Sequence, residues 1–473
     1  MSNSQLQPKT LLFFDDQLLS LRHNMIRKIG QPELLSVYRD PNLNLQFSYP
    51  SVFRDEATGM WRMIYQGNNI PAKGEKRQRV ALAADSEDGV NWAPRNTTDD
   101  IQLDDRLADN QVLPTARFLE MCACYIDPHA IPSERVKGLS TYRRDESEGK
   151  GIGTRLWVSP DGIQWKLKEG VEWQKDGTDP NWSVFWNEIR ESYVFTSRPA
   201  NNDRRVVVYE TKDWSDYSKP ELLFQADSQD TPNAEIYGMP VVPYEGHYIG
   251  LLWMFHTTTD INQYHSRKYV NGKIDCQLAY SFNGWHFQRS LRDPFVSNGG
   301  PGEPTGGCVF PSSIVQREDG SLRIYAAASR FEHGNNNAPN NGSIVTYQMR
   351  QDGFVYLEAG GGEGIVRTRP IYLRDGEVTV NVQSEGGRAR AQIIDFTESA
   401  DPQKGEVLKG YSLDESIPFT SDSTSWEPQW KDGKSLRDLV GRTIMIELHL
   451  VNSRLYALRG DFRVFFSGAG RSG

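Results

Sequence analysis

Two acidic residues stand where bond-breaking chemistry is plausible on sequence grounds. Glu235 lies in Asn233-Ala234-Glu235-Ile236-Tyr237-Gly238-Met239-Pro240-Val241, beside apolar neighbours, the setting of a general acid. Asp179 lies in Thr178-Asp179-Pro180-Asn181-Trp182. Two carboxyl groups at one opening split glycosidic bonds: one protonates the leaving oxygen while the other attacks or activates water. Glu235 is assigned the acid role, and Asp179 that of nucleophile, base or substrate clamp. Each has a plain structural alternative. Asp179 could cap a turn before Pro180, and Glu235 could pair with an arginine.

Around them stand residues able to read sugar hydroxyls. Tyr49, Gln66, Asn181 and Tyr237 are hydrogen-bonding side chains at strand ends, while Arg198, His256 and Arg330 would hold hydroxyls or an acidic substituent. The alternative for the three cations is a lattice of salt bridges between sheets. Asp16, in the pair Asp15-Asp16 after the apolar run Leu11 to Phe14, and Glu303 are further carboxylates that could reach the same opening. His333 and Asn335-Asn336-Asn337 read as a loop near it.

The elements that must position these residues emerge from a repeat. Ser86-Glu87-Asp88-Gly89-Val90-Asn91-Trp92 and Ser159-Pro160-Asp161-Gly162-Ile163-Gln164-Trp165 share Ser-x-Asp-Gly-x-x-Trp. Ser281-Phe282-Asn283-Gly284-Trp285 is a shorter copy, Thr211-Lys212-Asp213-Trp214 a degenerate one, and Gln351-Asp352-Gly353-Phe354 the fifth. Asp or Asn with Gly makes a tight turn with positive φ, and the aromatic packs between neighbouring sheets. A strand–turn–strand pattern precedes each copy, from Phe47 to Gln66, Met121 to Tyr142, Trp182 to Ser197, Met239 to His256 and Phe310 to Arg330. Two hairpins per unit and five units predict an all-β chain with a five-bladed β-propeller.

From about Arg367 the texture becomes alternating, as in Glu377 to Val382, Ala389 to Ile394 and Thr443 to Leu450, which predicts a C-terminal β-sandwich. The expected division is an N-terminal arm over 1–40, the propeller over 41–366 and the sandwich over 367–473. In a propeller, residues before each innermost strand and residues ending each second strand meet at one mouth. That filter selects Ser48, Tyr49, Asp179, Asn181, Glu235, Tyr237, Glu303 and Cys308, with Gln66, Tyr142, Arg198, His256 and Arg330.

The combination of Phe13-Phe14-Asp15-Asp16, the Ser-x-Asp-Gly-x-x-Trp hairpins and Glu235-Ile236-Tyr237-Gly238-Met239-Pro240 resembles bacterial glycoside-hydrolase-like proteins. These are distantly similar to the invertase-type family 32 and arabinanase-type family 43 enzymes. The resemblance implies an acidic site in the propeller funnel and hydrolysis of a furanoside or small oligosaccharide. It also implies a mainly structural sandwich. Gln66 in Ile64-Tyr65-Gln66 matches the family's substrate-touching Tyr-Gln. Where invertase-type enzymes carry Asn-Asp-Pro-Asn-Gly, this chain has Ser48-Tyr49-Pro50-Ser51-Val52, so Tyr49 occupies the nucleophile's place. A carbohydrate-binding propeller without turnover, or a phosphorylase or lyase using the funnel arginines on an anion, are the rival readings.

Bulk composition narrows the partners. The 473 residues carry a formal net charge of −9 with no dense Lys/Arg cluster, which disfavours a nucleic-acid partner. No stretch is long and apolar enough to predict a membrane span, and the expected location is cytoplasmic, or secreted or periplasmic if a leader has been removed. Four cysteines, Cys122, Cys124, Cys276 and Cys308, read as buried free thiols rather than a zinc or disulfide framework. The expected partner is a carbohydrate, with no cofactor required; calcium is the structural cation anticipated if one fills the pore. Motif spacing specifies neither metal ligands nor an oligomeric state.

Overall fold

The computed structural model describes residues 10–40, 43–69, 78–114, 120–143, 152–173, 181–199, 204–258, 271–335, 340–396 and 405–465. These are strands, turns and a few short 3₁₀ turns, with no α-helix among the described residues. No helix there is long and apolar enough to cross a membrane. The chain forms two compact units, called here by their place along it. The central unit is Pro32–Pro243 with Tyr248–Arg350; the terminal unit is Met1–Gln31, Tyr244–His247 and Gln351–Gly473.

The central unit is a succession of antiparallel meanders. The first sheet orders Ser51–Arg54, Trp61–Asn68, Arg79–Ser86 and Ala93–Pro94. The second orders Glu120–Ile126, Val136–Arg143, Ile152–Ser159 and Lys166–Trp173, and the third Asn181–Asn187, Ser192–Ser197, Val206–Thr211 and Glu221–Phe224. A longer sheet follows. It runs Ala234–Gly238, His247–Thr257 and Gly272–Ser281, then Cys308–Gln316, Leu322–Ser329 and Gly342–Met349. Its two halves meet through one parallel pairing, Ile274 with Cys308. The last position is filled by Glu33–Tyr38, so the first strand of this unit completes its final sheet.

Hydrogen bonds join these meanders in a closed circuit, mostly through their leading strands. Ser312 Oγ donates to Pro50 O at 2.7 Å, and the Val52 amide to Ser313 Oγ at 3.2 Å. The Cys124 amide donates to Ser51 Oγ at 2.9 Å, the Trp186 amide to Tyr125 Oη at 3.0 Å, and the Val241 amide to Ser183 Oγ at 3.0 Å. Trp253 Nε1 returns to Pro311 O at 2.9 Å. A cavity of about 180 Å³ lies among these strands, lined by Val52, Cys124, Val184, Val242 and Ser313 with their neighbours. Ser313, Ser51 and Ser183 suit such a circuit because each short hydroxyl accepts from a backbone amide of the neighbouring meander.

The repeated turns show why their residues recur. Ser86 Oγ accepts from the Gly89 amide at 2.9 Å, Ser159 Oγ from Gly162 at 2.8 Å, and Ser281 Oγ from Gly284 at 2.9 Å. Asp88, Asp161 and Asn283 each take the next two amides through Oδ1. The glycines sit at φ +71°, +80° and +66°. In the degenerate copy Trp214 itself takes the left-handed place at φ +65°, its amide bonded to Thr211 Oγ1 at 3.0 Å. The turn tryptophans then fill spaces between sheets. Trp165 packs with Phe53 and Ile64, Trp214 with Leu139 and Phe195, and Trp285 with Phe185 and Ile236. Asp352, in the fifth copy, differs. It lies fully buried in the terminal unit, accepting from Tyr244 Oη at 2.8 Å and Arg459 Nε at 2.9 Å.

In the terminal unit, Val355–Ala359, Ser453–Arg459, Thr379–Gln383 and Asp422–Trp426 share a sheet with Thr10–Leu12 and Ile26–Ile29. A second sheet holds Gly364–Thr368, Thr443–Val451, Arg388–Asp395, Ile371–Leu373, Phe462–Val464, Glu406–Val407 and Leu19–His23. Burial along Arg388–Asp395 alternates, the mark of a sheet with one face inward.

Candidate functional site

Aromatic rings gather where the first strand of the central unit begins. Tyr49 stacks on Trp253 at 5.4 Å with the planes 13° apart and meets Phe310 edge-on at 5.7 Å. Phe47 lies 5.6 Å from Phe310 and parallel to Tyr237 at 6.5 Å. The loop bearing them is strained: Phe47 has φ +63° and Tyr49 φ +44°, a region that bulky L-residues avoid. Gln66 holds it, through its amide to Ser48 O at 2.9 Å and its Nε2 to Phe47 O at 3.3 Å. Strain of this kind persists only where surrounding packing over-determines it, and it concentrates at functional sites. Tyr49 is 4% exposed, a packed ring rather than an open hydroxyl.

Beside the rings stands Glu235, 7% exposed. Its Oε2 accepts from Arg204 Nη1 at 2.7 Å, and its Oε1 from the Arg204 amide at 3.3 Å. The Arg204 guanidinium lies 5.5 Å from the Tyr237 ring and 5.0 Å from that of Phe255. Arg198 covers the same Tyr237 ring at 4.9 Å and donates to Tyr237 O at 3.5 Å. The Tyr237 hydroxyl meets His333 Nε2 at 3.2 Å, and His333 also packs 5.0 Å from Phe255. Two guanidiniums, an imidazole, a phenol and a carboxylate thus share one aromatic-walled corner. Such a corner can bind an anion or a polyhydroxylated ring, and its carboxylate can orient a hydroxyl or take its proton.

The sequence-derived residues fall into groups. Glu235, Tyr237, Tyr49 and Arg198 come together here, with Gln66 supporting the Phe47 loop. His256 does not face Glu235. It pairs across the ladder with Ala234 while Glu235 pairs with Phe255, and adjacent positions point to opposite faces. Arg330 is partly exposed and its Nε bonds to Gly302 O at 3.0 Å. Glu303 is exposed and accepts from the Gly300 amide at 2.9 Å. Asp16 belongs to the terminal unit, where it is ion-paired with Arg22 at 2.9 Å and with Arg27. Asp179 lies outside the described residues, as do the side chains of Asn181, Tyr142 and Cys122.

Sequence reasoning missed Arg204, Phe255, Phe310 and Trp253. A signal existed for Arg204. In a meander the third strand starts at the mouth where the second ends, so Arg204, just before Val206–Thr211, belonged in the same filter. No metal-binding grouping of three or more His, Cys, Asp or Glu is present among the described residues. Cys124, Cys276 and Cys308 are in no disulfide, and burial pushes the Cys124 and Cys308 thiols up to about 12, which makes them poor nucleophiles.

No protein-family model matches the chain, and no curated protein matches it. Solved structures similar to it include a fructofuranosidase from Schwanniomyces occidentalis complexed with fructose. The identity is 10% over 95% of this chain and 100% of that one, with a TM-score of 0.43. An endo-arabinase from Bacteroides thetaiotaomicron is 12% identical over 66% of this chain and 98% of that one, with a TM-score of 0.39. An N-acetylgalactosamine deacetylase from F. plautii in complex with blood group B trisaccharide is 13% identical, over 70% and 97% of the two chains, with a TM-score of 0.46. The chain is thus similar to glycoside hydrolases among solved structures.

Proposed function

We propose that the central unit is a five-bladed β-propeller, that the terminal unit contains a β-sandwich, and that the chain is a glycoside hydrolase. Its substrate is a furanoside or small oligosaccharide, cleaved at the corner where Glu235 meets Arg204, Arg198 and Tyr237. The observation that carries this reading is a largely buried carboxylate held by a guanidinium beside a phenol ring that two guanidiniums flank. The circuit of hydrogen bonds supports the propeller, because five blades around one axis would bring their inner strands within bonding reach of one another. Hydrogen-bonded charged groups flanked by rings are the usual means of gripping a sugar, which offers hydroxyls at its edge and C–H groups on its face. Asp179, one meander earlier, is the partner carboxylate in this proposal, and the reaction requires no cofactor.

One observation favours a second reading. Two guanidiniums on a single ring suit an anion, so a phosphorylase or lyase acting through Arg198 is the alternative. A screen of chromogenic glycosides and oligosaccharides, with and without inorganic phosphate, separates the two. Under the hydrolase reading Glu235→Gln lowers turnover by about 10²–10⁴-fold on any substrate found, without phosphate dependence. Unchanged turnover in that variant would sink the assignment.

A further inference from the structure

Behind the corner just described, on the opposite face of the same sheet, three side chains form a hydrogen-bonded relay. Thr231 Oγ1 lies 3.2 Å from His256 Nδ1, and His256 Nε2 lies 2.9 Å from Asp275 Oδ2. The order of exposure is that of a working relay. Thr231 is exposed, His256 is partly exposed, and Asp275 is 9% exposed. Asp275 Oδ1 is buried with no hydrogen-bond partner among the described residues, so the imidazole is the one described group that answers this carboxylate by hydrogen bonding.

The three residues are set by rigid elements. His256 and Asp275 sit on adjoining strands, His247–Thr257 and Gly272–Ser281, in register with Lys273 and Met254 respectively. Thr231 ends a turn fixed from both sides. Asp230 is clamped by Arg289 at 2.6 Å and Arg292 at 2.7 Å, and the Ala234 amide closes back to Thr231 O at 3.0 Å. A hydroxyl, an imidazole and a buried carboxylate at these separations are the components of nucleophilic acyl transfer.

We propose that Thr231, His256 and Asp275 form a second catalytic site, hydrolysing carboxylic esters with a short acyl group and a polar alcohol. A short acyl group and a polar alcohol suit the charged turn that carries Thr231, where Arg292 pairs with both Asp227 and Asp230 at 2.7 Å. Asp275 holds the tautomer that carries hydrogen on Nε2, leaving Nδ1 to accept the Thr231 proton. Thr231 Oγ1 bonds to the ester carbonyl carbon as its proton passes to Nδ1. The carbon–alkoxy bond then breaks, and the leaving oxygen takes that proton. Water repeats the sequence on the acyl-threonine, releasing the carboxylic acid and restoring the hydroxyl. The hydrogen bond that His256 Nε2 donates to Asp275 raises the His256 pKa, which strengthens it as a base.

The test is hydrolysis of p-nitrophenyl acetate by the full-length chain, with intact-mass and peptide analysis of acid-quenched samples. The wild type should show an acylation burst, with acetyl on the peptide that contains Thr231. Thr231→Ala and His256→Gln should each lower the rate by at least about 100-fold, while Thr231→Ser retains it. Thr231 is on the surface, so melting temperature in that variant should be unchanged. The rate should rise with pH as His256 loses its proton, and Asp275→Asn should move that midpoint down. Among the described residues Asp275 and Asp230 act on His256 and Lys273 is its partner across the ladder, so Lys273→Gln should move the midpoint the opposite way from Asp275→Asn. Equal rates in wild type and Thr231→Ala, acetyl on another residue, or no hydrolysis at all would each overturn the proposal.

Discussion

Glu235 and Arg204 stand 31 positions apart in the chain, yet their side chains meet at 2.7 Å, with a second bond from the Arg204 backbone to the same carboxylate. Arg204 comes from the approach to the third strand of one sheet and Glu235 from the leading strand of the next. The pair therefore ties two meanders together at the candidate site, and its energetic worth can be isolated.

Arg204→Ala takes the Arg204 guanidinium away from the largely buried Glu235 carboxylate. The expected loss is about 2–3 kcal/mol, because a buried charged acceptor that loses its donor bears its desolvation cost. Adding Glu235→Gln should recover most of it. A denaturant double-mutant cycle reads the coupling directly, and strictly additive losses would contradict the pairing.

Tyr49 offers a reversal of a normal preference. Replacement by alanine or glycine removes a ring stacked on Trp253, at a cost of about 3–5 kcal/mol. At φ +44°, however, alanine keeps the left-handed strain that glycine does not feel, so Tyr49→Gly should be the more stable of the two by about 1 kcal/mol. Urea midpoints of the two variants decide it, and alanine coming out ahead would count against the backbone conformation.

Two turn glycines separate strain from crowding. Gly59, at φ +72°, has nothing within 4 Å of an added Cβ, so Gly59→Ala should cost about 1 kcal/mol from backbone strain alone. At Gly162, φ +80°, the added carbon would lie 2.8 Å from Phe53 Cζ, so Gly162→Ala should cost about 2–4 kcal/mol. Equal losses at the two positions would refute the close approach of the Gly162 turn to the first sheet.

The terminal unit carries a pH-sensitive pair. His449 Nε2 lies 2.9 Å from Glu447 Oε1 and its Nδ1 3.0 Å from Glu363 Oε1, so both ring nitrogens face carboxylates. Burial alone would lower the His449 pKa, but the bonds to Glu447 and Glu363 outweigh it and the pKa rises above 6.5. Burial would raise that of Glu447, yet His449, Gln392 and Arg367 bring it down to about 2. The histidine term is complete below pH 6.5 and is lost as pH climbs through the raised value. The glutamate term is complete above pH 4.5 and is lost as pH falls toward 2. Together they stabilise most between pH 4.5 and 6.5. Thermal melts across pH should show His449→Gln losing more stability at pH 5.5 than at pH 8.5; an equal loss at both would show that His449 is not charged.

The residues that determined their own local structure were the turn residues. Ser86, Asp88 and Gly89 satisfy one another's amides within a few positions, so their chemistry is complete in the sequence and recurs at Ser159 and Ser281. Even the degenerate Trp214 turn keeps the pattern, because Thr211 and Asp213 supply the same acceptors. The strands between them were legible for the same reason, since alternation is a property of neighbours. The fifth copy was not: Gln351-Asp352-Gly353 has the same letters, but the carboxylate of Asp352 is claimed by Arg459 from far along the chain. What only the tertiary structure decided is which charges meet. Ladder register sends Glu235 to one face and His256 to the other, and sheet packing brings Arg204 to the first and Asp275 to the second. A one-residue shift in register would exchange those faces, and that shift depends on contacts between strands that no short stretch of sequence contains.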